Sequence, residues 1–145
     1  MLHQLTNLDD IKTFILGGNC EFVLKNINSG NTLDFQIIKS KVAVDRYNIT
    51  LKSTHFEYIG CIKTYNNLAK TSLSVYCYPN EKLTDEKLQT ASAVMYKLVL
   101  FLFNQNKLPE GVEFYHIGRC CKCGRKLTDL NSINSGIGKK CAENE

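Results

Sequence analysis

Between residues 8 and 15 the apolar side chains fall at Leu8, Ile11, Phe14 and Ile15, the spacing of one helical face, and the run stops at Gly17-Gly18. Thr6 followed three residues on by Asp9 reads as a capping box, so a short first helix is predicted. The period then changes to two. Phe22 and Leu24 alternate with polar neighbours, as do Leu33, Phe35 and Ile37, and Asn28-Ser29-Gly30-Asn31 between them tolerates positive φ. Residues 20–27 and 32–38 are therefore predicted to form a hairpin. Alternation continues through Val42, Val44, Tyr47, Ile49 and Leu51, then Phe56 and Tyr58, with Ile62 beyond Gly60. Two or three further strands are expected, giving an antiparallel meander of four or five.

After Pro79 the pattern turns helical, with Thr84 as N-cap, Asp85 and Glu86 in the first turn, and Leu88, Ala91, Met95, Leu98 and Leu102 along one stripe. This helix should run to about Asn106. Val94, Val99, Phe101 and Phe103 make its second half apolar nearly all round. Two apolar faces need two surfaces, which places the helix between the sheet and whatever follows. The predicted fold is α+β: an N-terminal helix, an antiparallel β-meander packed on one long helix, and a C-terminal treble-clef-like zinc knuckle. The expected division is a core over residues 1–108 and a zinc-binding unit over 109–145 packed on it, with Leu108-Pro109-Glu110-Gly111 as a turn.

Composition narrows this picture. The chain has 145 residues, 43% of them hydrophobic, the usual size for one domain with its own core. No apolar run reaches the roughly 18 to 20 uncharged residues that span a bilayer, and the most apolar stretch, residues 91–103, contains Lys97. The first ten residues show no secretory pattern, so a cytoplasmic protein without a membrane partner is expected. The seven cysteines are odd in number, and four lie beyond residue 119, which suits a reduced, metal-binding chain better than a disulfide scaffold. The net charge of +4 supports solubility more than nucleic-acid binding.

The candidate chemistry lies in His116-Ile117-Gly118-Arg119-Cys120-Cys121-Lys122-Cys123-Gly124-Arg125 and in Cys141. Zinc takes four tetrahedral ligands, and a Cys-x-x-Cys turn aims two sulfurs at one ion while nearby amides hydrogen-bond them. Cys120 and Cys123 fit such a knuckle, and Gly124 can supply the positive φ that closes it. Cys141, after Gly136-Ile137-Gly138, supplies a third sulfur at the start of a final helical turn. The fourth ligand is open. His116, four residues before Cys120, is the nearest residue of suitable type, and Cys121 is an alternative either to Cys120 or as the fourth donor. A redox reading of the Cys-x-x-Cys pair lacks the βαβ context and leaves Cys141 unexplained. Cys20, Cys61 and Cys77 lie in strand-like segments, where cysteine packs as a small apolar residue, and His3 and His55 have no paired ligand nearby in sequence.

The run Tyr115-His116-Ile117-Gly118-Arg119-Cys120, then Cys123-Gly124-Arg125-Lys126-Leu127-Thr128, Ser132-Ile133 and Gly136-Ile137-Gly138 with Cys141, resembles the C-terminal zinc motif of small phage and prophage proteins of unknown function. The resemblance implies a structural zinc ion on His116, Cys120, Cys123 and Cys141. Cys121, Lys139 and Lys140 depart from the usual pattern. It further implies a protein that works by binding a host protein or complex, inhibitors of CRISPR-Cas nucleases being one well-populated class.

No enzyme signature is present: no Gly-rich phosphate loop, Gly-x-Ser-x-Gly, His-Glu-x-x-His or zinc-deaminase pattern. Four protein ligands would also close the zinc site to water. A non-enzymatic binding protein is expected. The alternative is a nucleic-acid-binding accessory protein using Arg119, Lys122, Arg125, Lys126, Lys139 and Lys140, though the three carboxylates Asp129, Glu143 and Glu145 in the same segment would keep such binding weak.

Overall fold

The computed structural model describes residues 1–53 and 55–143. The elements in chain order are β1 (His3–Leu5), α1 (Leu8–Ile15), β2 (Asn19–Asn26), β3 (Thr32–Lys39), β4 (Arg46–Lys52), β5 (Phe56–Asn66), β6 (Leu73–Pro79), α2 (Glu86–Asn104), β7 (Val112–His116), α3 (Leu130–Ser135) and α4 (Lys139–Glu143). All seven strands form one antiparallel sheet in the order β1-β7-β2-β3-β4-β5-β6. The α+β class and the β2–β3 hairpin match the expectation, and the sheet is larger than the four or five strands anticipated.

The extra strands have physical reasons for being hard to see. β1 is three residues long. β7, five residues long, enters between β1 and β2, pairing Phe22 with His116 and Leu24 with Phe114 on one side and Leu5 with Phe114 on the other. The chain thus returns to the sheet after the long helix. A division after residue 108 would cut ahead of this inner strand. Phe56, Tyr58 and Ile62 belong to one strand, β5, which carries a bulge. Pairing with β4 shifts between Ile49 and Thr50, and the extra residue Ile59 is buried. A Cβ on Gly60 would come within 2.6 Å of the Tyr78 carbonyl oxygen, so the close approach of β6 needs glycine there. Val42 and Val44, expected in a strand, lie in the β3–β4 loop at 94% and 87% exposure.

Helix ends shift by a residue or two. Asn7, not Thr6, caps α1, its side chain accepting from the Asp10 amide at 3.0 Å. Asp85 caps α2 by accepting from the Leu88 amide, and the helix ends at Asn104 rather than Asn106. No helix among the described residues is long and apolar enough to cross a membrane.

The core lies on one face of the sheet. Phe22 stacks between Phe35, at 5.5 Å, and Phe114, at 4.7 Å, while Phe14 of α1 meets Phe114 edge-on at 5.7 Å. α2 covers β5 and β6 with Ala91, Met95, Leu98, Val99 and Leu102, all buried. Ser92, also buried, donates to the Ile59 carbonyl at 2.8 Å and so pins α2 to the bulge. α1 packs against the C-terminal segment: the space over Gly17 is filled by Cys121 and that over Gly136 by the Phe14 ring.

Candidate metal centre

Beyond β7 the chain leaves the sheet through Gly118 at a φ of 84° and folds back on itself. Leu127 donates its amide to the Gly118 carbonyl at 2.8 Å, Cys120 donates to Arg125 at 2.8 Å, and Arg119 and Lys126 form an antiparallel bridge. Between them Gly124, at a φ of 77°, donates to the Cys120 carbonyl at 2.9 Å and closes the turn that carries Cys120 and Cys123. Asp129 then caps α3 by accepting from the Ser132 amide at 3.0 Å, a bond that holds its carboxyl below the ordinary value. Gly136 ends α3 in the left-handed conformation, at a φ of 80°. Gly138 leads into α4, which carries Cys141.

These turns bring Cys120, Cys123 and Cys141 together, with their sulfurs within 4.8 Å of one another. Zinc–thiolate bonds of about 2.3 Å at tetrahedral angles would set the sulfurs about 3.8 Å apart, so a small contraction converts this group into three corners of a metal site. Cys120 is buried, Cys141 half-buried and Cys123 exposed. Two amides point at the buried sulfur: Gly138 donates to Cys120 Sγ at 3.3 Å and Lys122 at 3.5 Å. Burial pushes the Cys120 thiol up, but hydrogen bonds from Gly138, Cys123 and Lys122 outweigh it and hold the group down at about 7. Cys141 goes the other way, pushed up to about 11 by burial and by its hydrogen bonds to Cys123 and Cys120. The amide hydrogen bonds thus favour the thiolate at Cys120, the form that a metal ion binds. The donor set could hold a metal ion and is compatible with zinc. Lys126, Lys139, Lys140 and Arg125 line the cleft around it.

His116 stands elsewhere. Period-two alternation along β7 puts Phe114 and His116 on the same buried face, and His116 packs at 5.6 Å from Phe14 and 5.2 Å from His3. Its Nδ1 accepts from the Gly118 amide at 2.9 Å, and its Nε2, 2.7 Å from the Ile133 carbonyl oxygen, donates to it. Neither nitrogen keeps a lone pair for a metal, and burial lowers the ring's pKa. His116, expected as the fourth ligand, thus lies outside the group of three sulfurs in this structure, where its ring ties β7 to α3. A four-residue separation in sequence did not survive the turn at Gly118. Among the described residues no other His, Cys, Asp or Glu joins the three sulfurs.

Cys121 points away from the cluster, its sulfur 3.9 Å from the Thr13 carbonyl oxygen of α1. Its backbone links three segments, with its amide donating to Gly136 at 3.0 Å and its carbonyl accepting from Asn19 at 2.9 Å. Cys20, Cys61 and Cys77 are buried as expected, and none of the seven cysteines forms a disulfide. Burial raises the Cys20 thiol well above its ordinary value and pushes Cys77 up to about 12, where both are unreactive. The amides of Lys122 and Gly138 were not singled out as sulfur donors from sequence. The glycine two residues after Gly136 was the available signal, since a chain that must approach a buried sulfur closely favours glycine.

Residues 112–145 match a family of unknown function, DUF6011. That segment holds β7 and all three clustered cysteines. No curated protein and no solved structure matches the chain.

Proposed function

We propose that this chain is a non-catalytic binding protein whose C-terminal segment is ordered by one structural zinc ion on Cys120, Cys123 and Cys141. The observation that carries the reading is the convergence of three thiols, one of them held near 7 by backbone amides, in a segment with few apolar side chains of its own. The knuckle, its single-bridge hairpin and the short helix bearing Cys141 support a treble-clef-like arrangement. With His116 spent inside the fold, the fourth metal position falls to a group outside the described cluster. Three thiolates would already outweigh a divalent charge, which disfavours an electrophilic role for the ion. Asp129, the nearby carboxylate lining the cleft, is engaged as a helix cap and not placed as a general base.

The likeness of the C-terminal motif to phage and prophage proteins supports a host protein complex as the partner, a Cas nuclease being the first to assay. Metal analysis of protein purified without chelator tests the zinc reading, with about one zinc per chain expected and a lower melting temperature after chelation. A metal content near zero overturns it. A DNA cleavage assay with a Cas nuclease, run with and without the protein, tests the partner separately.

A further inference from the structure

The face of the sheet opposite the core is not uniform. In antiparallel pairs, partners share a face. Ile49, Leu51, Ile62, Val75 and Cys77 point into the core, so the register puts Arg46, Lys63 and Tyr76 in one row on the outer side, Tyr58 beside Thr50, Tyr78 beside Cys61, and Tyr65 beside Ser74. The four tyrosines are 39% to 49% exposed. Three of them are in contact: the Tyr65 and Tyr76 rings lie 5.8 Å apart, and the Tyr65 and Tyr78 hydroxyls are 3.5 Å apart. The cations are set among the rings. Lys63 Nζ lies 5.2 Å over the Tyr78 ring, and Arg46 donates to the Tyr58 hydroxyl at 2.9 Å.

Charge on this part of the face has one sign. No outward position of β4, β5 or β6 carries a carboxylate; Glu57 is paired with Leu51 and belongs to the other side. A third cation, Lys52, is answered by Glu21 of β2 at 3.4 Å, which leaves Arg46 and Lys63 without a carboxylate partner among the described ion pairs. Such an array of exposed rings interleaved with cations matches what single-stranded nucleic acid requires: ring faces for unstacked bases and positive charge for the phosphates between them. A duplex, whose bases are already stacked, could use the cations and not the rings.

We infer that the outer face of β4–β6 binds single-stranded nucleic acid by stacking bases on Tyr58, Tyr65, Tyr76 and Tyr78, with Arg46 and Lys63 on the backbone. This surface shares no residue with the metal cluster and does not depend on the zinc reading.

Fluorescence anisotropy with labelled oligothymidine and oligouridine of about 15 nucleotides, and with a duplex of equal length, tests it. Both single strands should bind at about 0.1 M salt, the duplex more weakly. Tyr76→Ala and Tyr65→Ala should each weaken binding roughly 5- to 150-fold, the range for loss of one stacked base, while Tyr76→Phe keeps it. Lys63→Glu should abolish it without disturbing the core, so the inference stays testable if an alanine variant folds poorly. Lys122→Ala and Arg125→Ala should bind as the parent does. No single-strand binding, equal affinity for duplex, unchanged binding by folded tyrosine variants, or loss caused instead by Lys122→Ala and Arg125→Ala would overturn it. So would sedimentation showing that this face pairs two copies of the chain, with Tyr76→Ala a monomer.

Discussion

Gly17 lies against Cys121 so closely that a Cβ on the glycine would meet the Cys121 carbonyl oxygen at 2.5 Å and its sulfur at 2.6 Å. The carbonyl is fixed by the Asn19 amide and the sulfur faces Thr13, so neither can yield without moving β2 or α1. This contact joins the N-terminal helix to the knuckle.

Gly17→Ala should therefore destabilise the protein by about 1–3 kcal/mol, the usual cost of forcing a methyl into a packed interior. Chemical denaturation measures it directly. A stability equal to that of the parent would mean that the knuckle does not rest on α1 as described.

His116 gives a pH prediction with a definite sign. Burial, and secondarily the neighbouring His3, lower its pKa, against the raising effect of the bond to Ile133. The neutral ring is thus the folded form. The unfolded chain, with an imidazole near 6.5, takes up its proton first as pH falls. The contribution of His116 is present in full above about 6.5 and is lost as pH drops through the folded value. A nuclear magnetic resonance titration should give His116 a midpoint below that of an unstructured histidine. A midpoint above it would contradict the burial and the two ring hydrogen bonds.

Much of this fold was readable because its period was unambiguous over enough residues. α1, the β2–β3 hairpin and α2 each show sustained helical or alternating patterns, and tertiary packing moved only their caps. The misreadings arose where the pattern was short or interrupted. The bulge at Ile59 broke the alternation of β5, and three-residue β1 offered too little pattern to detect. β7 hid inside the metal motif, because a strand ending in histidine just before Cys-x-x-Cys reads as ligand spacing. The three cysteines were legible because turn glycines bracket them. The place of His116 was not, since sequence distance carries no information about the turn at Gly118 or the carbonyl of Ile133 beside its ring.

Because β7 lies inside the sheet, a fragment of residues 1–108 is expected not to fold on its own. Without Val112–His116, β1 loses its sheet partner, β2 has an unpaired edge, and the Phe22 ring loses the Phe114 face at 4.7 Å. A fragment ending at residue 108 should lack a cooperative thermal transition and expose apolar surface to a dye. Phe114→Ala in the full chain should cost about 3–5 kcal/mol. A fragment that melts cooperatively would restore the division that the sequence suggests.

The last prediction separates cysteines that are adjacent in sequence. Cys120 and Cys121 share a peptide bond, yet one sulfur accepts from Lys122 and Gly138 inside the cluster and the other faces Thr13 of α1. Cys123→Ser and Cys141→Ser should each remove a metal ligand and reduce bound zinc to near zero, because the two remaining sulfurs cannot hold the ion against solvent. Cys121→Ser should keep about one zinc per chain while placing a more polar atom in a buried position, so its cost appears as stability and not as metal. His116→Gln should behave like Cys121→Ser: metal retained, stability lost through the broken tie between β7 and α3. Metal content measured beside the melting temperature places each variant in one class or the other. Loss of zinc from Cys121→Ser in folded protein would show that the register of the knuckle is shifted by one residue, and loss of zinc from His116→Gln would return the histidine to the metal.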